Sequence, residues 1–91
     1  MWNFEWDRTK ATSNLRKHQV TFEEGITVFL DDLSVTLHDT SHSSEEDRYT
    51  DIGRSSQGRI LVVAYTEQGS TIRLISCRQA TRAERRIYEE G

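Results

Sequence analysis

The chain has 91 residues, a formal net charge of −3, 34% hydrophobic and 30% charged residues, and a mean hydropathy of −0.74. That length holds one domain, residues 1–91, with one thin core. No run approaches the roughly 18 apolar residues of a membrane span, and a lone cysteine, Cys77, leaves no internal disulfide and no four-ligand zinc site.

The opening residues lack a signal-peptide pattern, so cytoplasmic residence is expected. Cys77 then reads as a small buried apolar residue in a reducing compartment. The net charge hides an asymmetry. Residues 1–47 carry four Lys/Arg against ten Asp/Glu, and residues 48–91 carry eight Arg and no Lys against five Asp/Glu. Arginine is the better bidentate partner for phosphate or carboxylate.

Taken in order, residues 3–6 are an aromatic strand candidate. Asp7 caps a helix running to Lys17 or His18. Ala11, Leu15 and His18 are expected on its inner face, with Arg8, Lys10 and Lys17 outside. Thr21 and Glu24 form a capping box for a second helix over residues 22–30, carrying Phe22, Ile26 and Phe29 on one face beside Gly25. From Leu33 the period becomes two, and Val35 and Leu37 share a strand face over residues 34–39. A polar, acidic connection over residues 40–47 follows. Strands are expected over residues 48–55, 59–66 and 70–77, joined by Gln57-Gly58 and Gln68-Gly69 turns as an antiparallel meander. The run RILVVAYT is apolar on both faces and predicts a central strand. Thr81 and Glu84 make a second capping box, whose helix buries Ala80, Ala83 and Ile87 and ends at Gly91. The class is α+β: a mostly antiparallel sheet of four to five strands, packed by two N-terminal helices and one C-terminal helix.

Five arginines, Arg73, Arg78, Arg82, Arg85 and Arg86, crowd the last strand and helix, opposed within that stretch by Glu84. Such a cluster points to an anion. The plainer reading makes the helix a solvated face, with Arg85 and Arg86 neutralised by Glu89 and Glu90; the sharper one is phosphate binding. In a regular pleat Arg73 shares a face with Cys77, and Arg78 lies on the other. The two then clamp one phosphate only if the strand ends or bulges between them. Arg73 otherwise pairs with Asp51 or Glu67 across the strands. Lys17 and His18 close the first helix, either as dipole compensation or, for His18, as a proton-transfer group. His38 and His42 read as surface residues, and no metal site is expected. Tyr88 and Glu84, four residues apart, form a candidate pair.

Several stretches together resemble the BrnT toxin family of bacterial toxin–antitoxin systems: FEWD at residues 4–7, NLRKHQVTFEE at 14–24, DRYTDIGRS at 47–55, GRILVVAYT at 58–66 and IRLISCRQATRAERRIYE at 72–89. The likeness spans nearly the whole chain. It departs at Gln19, where the family usually has Gly, at Gly25, where Ala is frequent, and at Cys77, where Ala is usual. The resemblance implies a RelE-like fold and an RNA-cleaving toxin. It further implies a ribbon-helix-helix antitoxin of the BrnA type, in a heterotetramer that meets DNA only through the antitoxin, with no membrane partner. By motif position it carries over Lys17, His18, Arg73, Ser76, Arg78, Glu84 and Arg85. The expected chemistry is endoribonucleolytic cleavage without metal or cofactor, by attack of a 2′-OH on the adjacent phosphorus. Arg73 and Arg78 would be phosphate ligands. His18 would transfer protons, with Glu84 as second choice, and Lys17, Ser76 and Arg85 would hold RNA. The alternative is a non-catalytic module that docks an acidic partner and acts as co-repressor.

Overall fold

The computed structural model describes residues 2–39 and 47–91. Strand β1 (Asn3–Glu5) leads into α1 (Arg8–His18), α2 (Phe22–Ile26) and a 3-10 turn (Thr27–Leu30). Strands β2 (Val35–Asp39), β3 (Arg48–Arg54), β4 (Ile60–Gln68) and β5 (Thr71–Gln79) precede α3 (Arg82–Glu90). The five strands form one sheet in the order β1-β5-β4-β3-β2. β2 to β5 make the expected antiparallel meander, and β1 adds in parallel to Thr71–Arg73 at the far edge. β4 is the central strand, as its two-sided apolar character predicts. His42 and residues 40–46 of the expected polar connection lie outside the described residues.

α1 and α2 cover one face of the sheet. Leu61, Val63, Tyr65, Ile72, Leu74 and Cys77 point there and pack with Val20, Phe22 and Val28. A series of ring contacts crosses the same layer, from Phe4 through Phe29, Tyr65 and Tyr49 to His38. Tyr65 donates to the buried carboxylate of Asp51 at 2.7 Å. Ile52 and Val62 pair across β3 and β4 on the opposite face and are also buried. Arg78, cross-strand from Val62, reaches α3 through Glu84, so α3 lies on this second face.

Several expectations are corrected. α2 is shorter than residues 22–30, because the last turn tightens to 3-10 geometry. In α1 the buried position is Asn14; Leu15 is 47% exposed and His18 is exposed. In α3 no residue is buried: Ala83 is exposed and Ile87 is 42% exposed. Polar contacts anchor that helix instead. Glu84 grips Arg78, and Tyr88 donates to Asp31 at 2.7 Å rather than to Glu84. The first capping box is half made. Thr21 Oγ1 accepts from Glu24 N–H, but the Glu24 carboxylate is turned to Ser55 and Arg59. The second is complete, with Thr81 and Glu84 exchanging both bonds.

Candidate functional site

The bulge that the alternation argument needed is present in β5. Ala64 pairs with Ser76 and Tyr65 with Leu74, so Ile75 is an extra residue with no opposite number. One inserted residue flips the pleat. Ile72 and Leu74 before it, and Cys77 after it, all point into the core. Arg73, Ser76 and Arg78, cross-strand from Thr66, Ala64 and Val62, therefore all stand on the second face. At about 3.3 Å per residue, Ser76 sits between the two arginines, within two or three residues of each. Their side chains remain 42% and 37% exposed, which leaves guanidinium surface for a ligand.

α1 reaches this place across the edge of the sheet. β1 pairs with β5 only as far as Arg73, so along that edge the later part of β5 has no strand among the described residues. Asn14 substitutes for one. Its Oδ1 accepts from Cys77 N–H at 3.0 Å, and its Nδ2 donates to Cys77 C=O at 2.7 Å and to Val20 C=O at 3.0 Å. A buried edge left without partners would cost several kcal/mol; one carboxamide satisfies it and locks α1 in register with the bulge. Lys10, Ser13, Lys17 and His18 lie on the same side of α1 as Asn14, and together with Ile75 and Ser76 they line a hollow of about 220 Å3. The last turn of α1 is basic, with Arg16, Lys17 and His18, which matches the negative end of its dipole. Gln19 then leaves the helix in the left-handed region, at φ 58°.

Each arginine of β5 has a carboxylate partner. Arg73 Nη1 lies 3.3 Å from Glu5 Oε1; the partner is the register neighbour on β1, not Asp51 or Glu67. Arg78 makes a two-pronged pair with Glu84, at 2.7 and 2.8 Å. Arg78 holds the Glu84 carboxyl down at about 2, helped by the Thr81 N–H, against a smaller opposing effect of burial. A carboxylate that weakly basic is a poor proton acceptor at neutral pH, and its geometry is that of a clamp fixing the guanidinium. The clamp therefore speaks against Glu84 as a proton-transfer group.

Arg85 stands apart from this group. With Ala80, Arg82, Arg86 and Glu89 it lines a hollow of about 450 Å3. It also lines an adjoining hollow of about 280 Å3 with Arg54, Arg59 and Gln79. The expected neutralisation of Arg85 and Arg86 by Glu89 and Glu90 is not seen; no ion pair joins them among the described residues. Thus Lys17, His18 and Ser76 meet at one hollow, Arg73 and Arg78 stand along β5 outside its lining, and Arg85 belongs to α3. Asn14 is the residue that sequence reasoning missed. A polar residue at mid-helix reads as solvent-facing, and only its tertiary partners reveal otherwise. No group of three or more metal-ligating side chains occurs among the described residues, and no helix among them is long and apolar enough to cross a membrane.

Comparison with known proteins agrees with this architecture. The crystal structure of the Brucella abortus ribonuclease toxin BrnT superposes with a TM-score of 0.68 at 25% identity, covering 90% of this chain and all of that one. No curated protein is recognisably similar in sequence. The family model for BrnT, the ribonuclease toxin of a type II toxin–antitoxin system, matches residues 6–84, which include the bulge, the Asn14 latch and the Arg78–Glu84 clamp. The chain belongs to the BrnT family of type II ribonuclease toxins.

Proposed function

We propose that the protein is an endoribonuclease that needs no metal and inhibits translation by cutting RNA at the β5 bulge. The observation that carries this reading is the extra residue at Ile75, since without it Arg73 and Arg78 would face opposite sides of the sheet. His18 withdraws the 2′-OH proton, and the 2′ oxygen attacks the adjacent phosphorus. The new O2′–P bond forms as the bond to the 5′ oxygen breaks, and the proton that His18 took, returned to that oxygen, completes the step. The products are a 2′,3′-cyclic phosphate and a 5′-hydroxyl end. Negative charge rises on the non-bridging oxygens, where Arg73, Arg78 and Lys17 supply fixed donors. Ser76 orients the phosphate from the strand, and Glu84 keeps Arg78 pre-aligned. Imidazole is the side chain suited to taking and giving protons near neutrality. Each proton and charge is thus handled by the chain's own groups.

Family membership implies a protein antitoxin. We assign it to the BrnA ribbon-helix-helix type, in a cytoplasmic heterotetramer that binds DNA through the antitoxin. The test is antitoxin-free protein incubated with RNA in EDTA. Fragments ending in 2′,3′-cyclic phosphate are expected. His18→Ala should lower kcat by about 10²–10⁴, and Arg78→Ala by about 10²–10³, with antitoxin binding kept. Intact RNA at ample protein concentration overturns the reading. Loss of antitoxin binding and toxicity together in these variants would point to the non-catalytic module.

A further inference from the structure

The hollows on α3 have no part in the reaction just described, yet they are lined by three arginines that make no ion pair among the described residues. Arg85, Ala80 and Glu89 line both hollows, so the two adjoin and are taken together as the α3 trough. Arg82 and Arg86 flank it on α3, and Arg54 and Arg59 enter from the end of β3 and the turn that follows. Arg59 is neutralised by Glu24, and Arg54 is steadied by Gly58 C=O at 3.2 Å. Arg82, Arg85 and Arg86 make no ion pair among the described residues. Three unpaired guanidinium groups against one carboxylate, Glu89, make a trough that attracts anions.

The lining tells which kind of anion. Protein interfaces centre on aromatic or large aliphatic anchors. Here the trough offers only Ala80 and Ile60 as apolar side chains, and the exposed leucines Leu30 and Leu33 are absent from its lining. A polar, strongly positive surface is the signature of nucleic-acid contact. Arg78 lies on β5 two residues from Ser76, and its partner Glu84 belongs to α3, the helix that lines the trough. From these observations we infer that the α3 trough binds the phosphate backbone of single-stranded RNA flanking the cleaved bond, as an anchoring site separate from the reaction centre. This deepens the ribonuclease reading and rests on it.

The experiment measures affinity for a 2′-O-methyl RNA oligonucleotide, which cannot undergo 2′-OH attack, across a salt series, alongside cleavage of ordinary RNA. Arg82→Gln/Arg86→Gln should weaken binding and lower the slope of log affinity against log salt by about 1.4, for two lost phosphate contacts. In cleavage it should raise KM and leave kcat near the wild-type value. Glu89→Gln, which removes the one opposing charge, should tighten binding. His18→Ala should lower kcat by about 10²–10⁴ and keep binding. A wild-type protein that binds but never cuts would leave the trough standing and remove the ribonuclease. Unchanged affinity and salt slope in the double variant would overturn the trough. So would a loss confined to antitoxin affinity, which would assign the surface to a protein partner, and so would wild-type protein that binds no RNA.

Discussion

Two single residues carry measurable consequences. Gln19 occupies the left-handed region at φ 58° and ψ 34°, where an L side chain costs about 1–2 kcal/mol that glycine avoids. Gln19→Gly gives back part of that through the freer unfolded chain. A net gain of about 0.5–1 kcal/mol is expected in urea denaturation, and a loss would show that the Gln19 side chain contributes contacts of its own. Glu84 gives a pH signature. Arg78 lowers its folded-state value to about 2 from the usual 4.5. A depressed carboxyl stabilises the fold only while ionised. Its contribution is complete above about 4.5 and disappears as pH falls toward 2. The melting-temperature gap between wild type and Glu84→Gln should therefore be open at neutral pH and close over that acid window. A gap of constant size would mean that the pair does not act through charge.

At the scale of elements, α2 meets β5 at one tight contact. A methyl group added at Gly25 would stand 2.8 Å from Cys77 Sγ and 3.7 Å from Leu74 Cδ2. Cys77 is fully buried, so nothing there swings aside. Gly25→Ala should cost about 1–3 kcal/mol by overpacking, despite the helix preference for alanine of about 1 kcal/mol. Cys77→Ala alone opens a small void. The double variant removes the clash and fills the void, so its stability should match or exceed wild type, with a coupling of about 1–3 kcal/mol in the cycle. Additive losses would deny the contact. Alanine, frequent at position 25 and usual at position 77 in the family that the sequence resembles, would make a compensated pair, which neither departure reveals when read singly. The same limit governs what the sequence revealed of the site. Capping chemistry is local, so the Thr81–Glu84 box and the start of α3 were legible. Apolar runs and the turns between them located the strands of the meander, but reading faces along β5 assumes a regular pleat, and the extra residue at Ile75 is decided by the pairing of β4 with β5. Asn14 and Glu24 escaped for a like reason. Their partners, Cys77 and Arg59, lie 63 and 35 residues away, beyond any helical or strand period.

For the whole molecule, stability is unevenly shared. The largest fully buried side chains belong to the sheet and to residues 20–28; α3 contributes none. α3 is held by the Arg78–Glu84 clamp, the Tyr88–Asp31 bond and the Ala80 N–H to Ile60 C=O bond at its root. Elements with little buried apolar area open at lower free energy than core strands, so amide exchange should be faster in α3 than in β4. The exposed leucines Leu30 and Leu33, at 82% and 73%, add apolar surface that water covers poorly in the free protein. A partner that binds only the folded state shifts the unfolding equilibrium by mass action. At 100 times its Kd the shift is about 2.7 kcal/mol, which for a domain of this size raises Tm by roughly 10–20 °C. Thermal melts of the protein with increasing antitoxin should show that rise, and exchange measured on the complex should show slower α3 amides if the antitoxin lies over this helix. A rise in Tm with α3 exchange unchanged would place the antitoxin elsewhere, leaving the arginine trough open to RNA in the neutralised complex. An unchanged Tm at saturation would mean that the antitoxin does not act by binding the native toxin.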